Sequence, residues 1–154
     1  MAKKYWIMKS EPSEFGIDDL VKKGSAFWDG VRNYQVRNMF RDDMQVGDLA
    51  LFYHSNAKEI GIVGEMKILE TGKPDPTQFI PGHKYYDPKS TTDAPRWLGP
   101  VVGFVRKFSR VITLTEIKAN PMFSDLPLVR KGSRLSVIPI TKEEYTALVA
   151  LGRN

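Results

Sequence analysis

Apolar residues recur along the chain in two different periods, and the changes of period divide it into short elements. Residues 5–9 (Tyr-Trp-Ile-Met-Lys) are apolar on both faces, which predicts a buried first strand closed by the turn-prone Ser10-Glu11-Pro12-Ser13. A short helix is predicted over 17–23, with Asp18 and Asp19 in its first turn, Lys22 and Lys23 in its last, and Gly24 as a left-handed stop. Asn33 suits the N-cap of a helix reaching about Arg41. Val36, Met39 and Phe40 form its apolar stripe, and Asn33, Arg37 and Arg41 follow at i+4 spacing on the opposite face.

Gly47-Asp48 turns the chain into a doubly apolar strand at 49–54, and 61–69 reads as another. Residues 71–100 hold most of the prolines and no clear period, the mark of an ordered functional loop. Strands are predicted again at 101–106, 111–116 and 135–140. The last helix is announced by a Thr141/Glu144 capping box and an Ile140/Tyr145 staple, with Leu148 and Val149 on its stripe and Gly152 ending it. Five or six strands and three short helices, mostly without βαβ alternation, predict an α+β fold. Its form is a curled mixed sheet or open pseudo-barrel, with residues 1–154 as a single domain.

Composition removes several kinds of chemistry. No cysteine is present, so there is no thiol nucleophile, thiolate metal site or disulfide, and a cytoplasmic location is expected. The apolar run at 5–8 is too short for a secretory core, and no run approaches the ~20 residues of a membrane span. His54 and His83 are too few and too badly spaced for a zinc site, and His54 and Ser55, adjacent on a strand, point to opposite faces. The GxxG at 61–64 lies in an apolar strand, where glycine marks a bulge or close packing. No phosphate-cradling glycine loop occurs. A non-enzymatic chain with no catalytic residue, metal or cofactor is therefore expected.

The net charge of +5 leans toward polyanions. Residues 94–115 and 126–140 contain no acid, whereas acids pair at Asp18-Asp19, Asp42-Asp43 and Glu143-Glu144. A positive face is one reading, and evenly scattered basic loops are the other. Arg32, Arg37, Arg41, Arg130, Lys131 and Arg134 are the candidate phosphate contacts, with surface ion pairing as the alternative for Arg37 and Arg41.

Three polar clusters stand at strand ends or helix starts: Lys9-Ser10-Glu11, the run Trp28-Asp29-Gly30-Val31-Arg32-Asn33, and His54-Ser55-Asn56. Strand ends gathered on one rim bring such clusters together. With Trp97, which either closes a pocket or pins its loop, they supply two indoles and a set of amides and hydroxyls, the ingredients of single-base recognition.

Six segments carry a more specific signal: YWIMKSEP from Tyr5, WDGVRNYQVRN from Trp28, FYHSN from Phe52, PDPTQF from Pro74, YYDPKS from Tyr85 and RLSV from Arg134. In this order, across almost the whole chain, they resemble the signatures of the EVE domain family. That resemblance implies a PUA-like fold, related to PUA, ASCH and YTH domains, and a pocket for a modified base around Lys9, Ser10, Trp28, Asp29, Gly30, Asn33, residues 54–56 and Trp97. The expected partner is DNA or RNA carrying a modified base, bound by a monomer without a membrane, with other proteins as further partners. Two alternatives stay open: an enzyme on nucleotides using Lys9, Glu11 or Asp29 as acid or base, and an interaction module presenting Tyr85-Tyr86. A buried methyl adds only ~0.8 kcal/mol, roughly fourfold, so sharp discrimination has to come from groups that disfavour the wrong base.

Overall fold

A computed structural model describes residues 3–129 and 135–153. Strand β1 (Tyr5–Ser10) lies inside a six-stranded sheet, parallel to β3 (Leu49–His54) on one side and antiparallel to β6 (Val137–Ile140) on the other. Beyond β3 come β4 (Gly61–Pro74), β5 (Leu98–Thr113) and the short edge strand β2 (Ser25–Phe27), giving the order β2-β5-β4-β3-β1-β6. Helices α1 (Ile17–Lys23), α2 (Tyr34–Asn38), α3 (Leu114–Ala119) and α4 (Lys142–Arg153) flank this mixed α+β sheet. None of the described helices is long and apolar enough to cross a membrane.

The doubly apolar strands are apolar because the sheet is covered on both faces. Successive side chains alternate sides, so Trp6, Met8, Ala50 and Phe52 join one core with Leu20 of α1 and Val36 of α2. Ile7, Leu51 and Tyr53 join the other, with Ile117 of α3 and Leu148 of α4. Trp6 Nε1 donates to Asp48 Oδ2 at 3.0 Å, which satisfies the indole inside the first core. Beneath α4, the hydroxyl of Tyr145 donates to the buried carboxylate of Glu65 at 2.7 Å.

Several predicted bounds change. The two strands expected at 101–106 and 111–116 are one 16-residue strand, β5, and residues 114–116 belong to α3, whose N-cap Thr113 accepts from the Glu116 amide. The strand continues through the supposed gap, with Phe108 buried between exposed Lys107 and Ser109. Register shifts against β4 let so long a strand curl. Residues 71–74 extend β4, so the long loop is shorter than predicted and contains a 3-10 turn, Pro76–Phe79. The helix expected to run smoothly to Arg41 passes from α2 into a π-helical turn, Met39–Asp43. Gly152 lies within α4 rather than ending it, and it lets the helix pack on the Phe108 ring, from which a β-carbon would stand 2.3 Å.

Candidate functional site

The parallel register of β1 and β3 places Ser10 opposite His54, so the polar runs that follow both strands emerge on the same rim of the sheet. There a cleft of about 1130 Å³ opens. Lys9, Ser10 and Glu11 line it from β1, Trp28 through Asn33 from the segment joining β2 to α2, and Ser55 from the end of β3. The long loop contributes His83, Lys84 and Tyr85, and Glu14, Phe15 and Phe27 add further walls. A smaller groove of about 750 Å³ lies at the other end of β1, between Lys3, Lys4, Trp6, Met39 and Ile140, away from all three strand-end clusters.

Trp28 is held edge-on to Phe52, with ring centres 5.2 Å apart, and to Phe15 at 6.1 Å, so its position is fixed by the core while it still borders the cleft. Gly30 has φ +81°, and a β-carbon on it would lie 2.5 Å from the Tyr85 ring. The missing side chain is what admits that ring. Asp75, 2% exposed, ties the two segments together: it accepts from the Gly30 amide at 2.8 Å, from Arg32 Nη1 at 3.0 Å, and from the amide and hydroxyl of Thr77. Burial pushes the Asp75 carboxyl up, but those hydrogen bonds outweigh it and hold the group below the usual carboxylate range.

Arg32 is consumed by this arrangement. Its other nitrogen donates to the Tyr85 carbonyl at 2.7 Å and to Thr77, and its guanidinium lies 5.4 Å from the Tyr85 ring centre and 5.3 Å from that of Trp97. The residue expected to meet phosphate therefore fastens the long loop. Arg37 donates to the Asn38 side chain and the Arg96 carbonyl and covers Tyr34, and Arg41 forks onto Asp42. Neither lines the cleft. Arg130, Lys131 and Arg134 lie outside the described residues.

Three expected pocket residues stand elsewhere. Trp97 stacks on Tyr34 at 4.8 Å and donates its N–H to Asp87 at 2.8 Å, so it backs Arg32 instead of facing Trp28 across the opening. His54 Nε2 accepts from the Ile17 amide at 3.1 Å, which makes it a brace for the start of α1. Partial burial holds the imidazole below its ordinary pKa, consistent with the neutral form this bond requires. Asn56 turns the chain at φ 48° and reaches Glu11 at 3.4 Å. Asn33 caps α2 by accepting from the Val36 amide at 3.1 Å and also borders the cleft.

Several polar groups of the cleft are committed within the protein. The Ser10 hydroxyl donates to the Phe15 carbonyl, and Glu14 receives both Lys84 Nζ and the Tyr85 hydroxyl. Among the described residues, the Lys9 ammonium and the Asp29 carboxylate form no ion pair and no side-chain hydrogen bond. Partial burial lowers the Lys9 pKa. Asp29 stays accessible to solvent at the cleft wall, yet desolvation by the protein packed around it raises its pKa, and the nearby Asp75 charge adds to the rise. The site thus offers aromatic walls, the Asp29 carboxylate, and two ammonium groups outside any ion pair among the described residues, Lys9 over the Tyr53 ring and Lys23 over that of Phe15.

Known proteins resemble the chain along nearly its full length. The sequence model of the EVE domain family matches residues 4–151. Thymocyte nuclear protein 1 of Mus musculus is 44% identical over 167 residues, covering 96% of this chain and 73% of its own. A Pseudomonas syringae protein of known crystal structure is 50% identical with a TM-score of 0.91, covering 96% of this chain and 98% of its own. Human THYN1 protein, crystallised in complex with DNA containing 5-methylcytosine, is 39% identical with a TM-score of 0.88, and the match covers 99% of both chains. The helix-flanked mixed sheet is the PUA-like architecture common to these relatives.

Proposed function

The chain belongs to the EVE domain family, and from that premise we propose that it is a non-enzymatic reader that holds one modified, methylated base of a nucleic acid in the cleft beside Trp28. The observation that carries this reading is the cleft itself, bordered by Phe27, Trp28 and Tyr85 and edged by uncommitted polar groups. A flat heterocycle gains ~1–3 kcal/mol from stacking on an aromatic side chain, and Lys9 and Asp29 line the same cleft. The human relative bound to 5-methylcytosine DNA supports a methylated pyrimidine as the ligand. Extruding a base from a duplex costs a few kcal/mol, so single strands and frayed ends are the preferred targets.

Binding of single-stranded oligonucleotides carrying one 5-methylcytosine or one cytosine, to wild type and to Trp28→Phe, tests the reading. Preference for the methylated strand, weakened in the variant, is expected. Equal, weak association with every strand would sink it.

A second reading rests on the same two groups. The Lys9 amine is pulled below and the Asp29 carboxyl pushed above its ordinary range, shifts that also suit acid–base chemistry on a bound nucleotide. Product formation abolished in Asp29→Asn with binding retained would favour that reading over simple recognition.

A further inference from the structure

A methyl-reading pocket faces a problem that its walls cannot solve. Thymine carries the same 5-methyl group on the same ring as 5-methylcytosine, and any DNA strand holds many thymines. Contact with the methyl, worth about fourfold over a bare ring, serves both bases equally. They differ at the ring edge: 5-methylcytosine presents an amino donor at C4, where thymine presents a carbonyl acceptor, and both carry the C2 carbonyl.

The cleft contains groups suited to that difference. Lys9 comes from the end of β1 and Asp29 from the segment after β2, so they stand on separate walls, and neither is neutralised by the other. Of the other charged groups there, Glu14 is engaged by Lys84 and Tyr85, Arg32 by Asp75 and the Tyr85 carbonyl, and Glu11 by Asn56, while Lys23 stands over the Phe15 ring. A carboxylate only accepts hydrogen bonds and an ammonium only donates them. The ligand edge that satisfies both carries a donor at one end and an acceptor at the other.

Resting on the base-holding function proposed above, we infer that Asp29 accepts the exocyclic amino group and Lys9 donates to the C2 carbonyl, so that the site takes 5-methylcytosine and refuses thymine, its deamination product. Thymine would set its C4 carbonyl against the Asp29 carboxylate, two acceptors with no proton between them. A site built around an N–H loses far more on a ligand that lacks it than a methyl pocket loses on a missing methyl. Asp29 is solvent-exposed, which moderates the effect, and about tenfold rejection of thymine is expected. The roles separate cleanly: Lys9 reads a group that both bases share, and Asp29 the one that distinguishes them.

Competition among otherwise identical single strands carrying 5-methylcytosine, cytosine, thymine or uracil at one central position tests this. Wild type is expected to prefer 5-methylcytosine to thymine by about tenfold. Asp29→Asn, whose amide both donates and accepts, should narrow that ratio to within about twofold, and Asp29→Ser serves if the first variant melts early. Lys9→Met should weaken all four strands by a similar factor and leave the ratio unchanged. Thymine bound as tightly as 5-methylcytosine by wild type, with cytosine and uracil weaker, overturns the inference while leaving a methyl reader intact. An undiminished ratio in both folded Asp29 variants overturns it too. Failure to bind any of the four strands removes the base-holding function and the inference together.

Discussion

Tyr85 lies against the bare Cα of Gly30, where a β-carbon would come within 2.5 Å of two ring carbons. Gly30 also occupies the left-handed region, at φ +81°. Gly30→Ala therefore meets two penalties, a backbone cost of about 1–2 kcal/mol and an overpacking cost of about 1–3 kcal/mol. Thermal denaturation should show the loss, and oligonucleotide binding should fall further than stability does, because the displaced ring borders the cleft. Unchanged melting would mean that the Tyr85 wall moves freely.

Arg32 is a fastener, and its removal leaves the buried Asp75 without its cation. Arg32→Met is expected to cost about 3–5 kcal/mol in denaturant unfolding. Arg32→Lys should recover only part of this, since one ammonium cannot reach Asp75, Thr77 and the Tyr85 carbonyl together. By contrast, the Arg41–Asp42 pair is open to solvent and screened, so Arg41→Ala should melt close to wild type.

Tyr145→Phe takes the hydrogen bond from Glu65 in the interior beneath α4. Leaving that acceptor underserved should cost about 1–3 kcal/mol, measured as a lower denaturation midpoint with an unchanged slope. Neither residue lines the cleft, so binding by the folded fraction should be unaltered.

His54 gives stability a defined dependence on pH. Its folded pKa lies below the ordinary 6.5, so at intermediate pH the unfolded chain takes up the proton more readily. The contribution is complete above about pH 6.5 and declines as pH falls toward the lower folded value. Melting temperature recorded between about pH 8 and pH 5 should drop through this window. In His54→Gln, whose carbonyl can still accept from Ile17, the histidine's part of the drop should vanish.

Binding to a single strand should weaken with salt. If about three phosphates are contacted, the logarithm of affinity against the logarithm of salt concentration has a slope near −2. A flat response would mean that the backbone contributes nothing.

Where signals were local, the sequence showed the fold. Helix α1 occupies residues 17–23 as its charge asymmetry and Gly24 indicate, and Thr141 and Glu144 exchange both capping hydrogen bonds at 2.9 and 3.0 Å. β3 follows its doubly apolar run residue for residue. The break placed near residue 107 overlooked Phe108, which turns inward alone among its polar neighbours and keeps the strand on the core. Gathering the strand-end clusters on one rim was also legible, because parallel pairing of β1 and β3 sends both ends the same way. The roles of Arg32, Trp97 and His54 were not. Each is decided by a partner far along the chain, Asp75 for Arg32, Tyr34 for Trp97 and Ile17 for His54, and no spacing rule encodes such encounters. Tyr85 could have been suspected, since a glycine between Asp29 and Val31 leaves room for something large.

The pairing of residues 5–8 with 137–140 has a temporal consequence. Lys9, which lines the cleft, donates its amide to the Ser136 carbonyl at 2.8 Å, so one wall is completed only when β6 docks against β1. During synthesis on the ribosome, the strands from β1 through β5 can associate well before β6 exists. A nascent chain therefore lacks that wall until its last strand has emerged, and in fragments ending before residue 137 oligonucleotide binding should fall even where the rest of the sheet is retained.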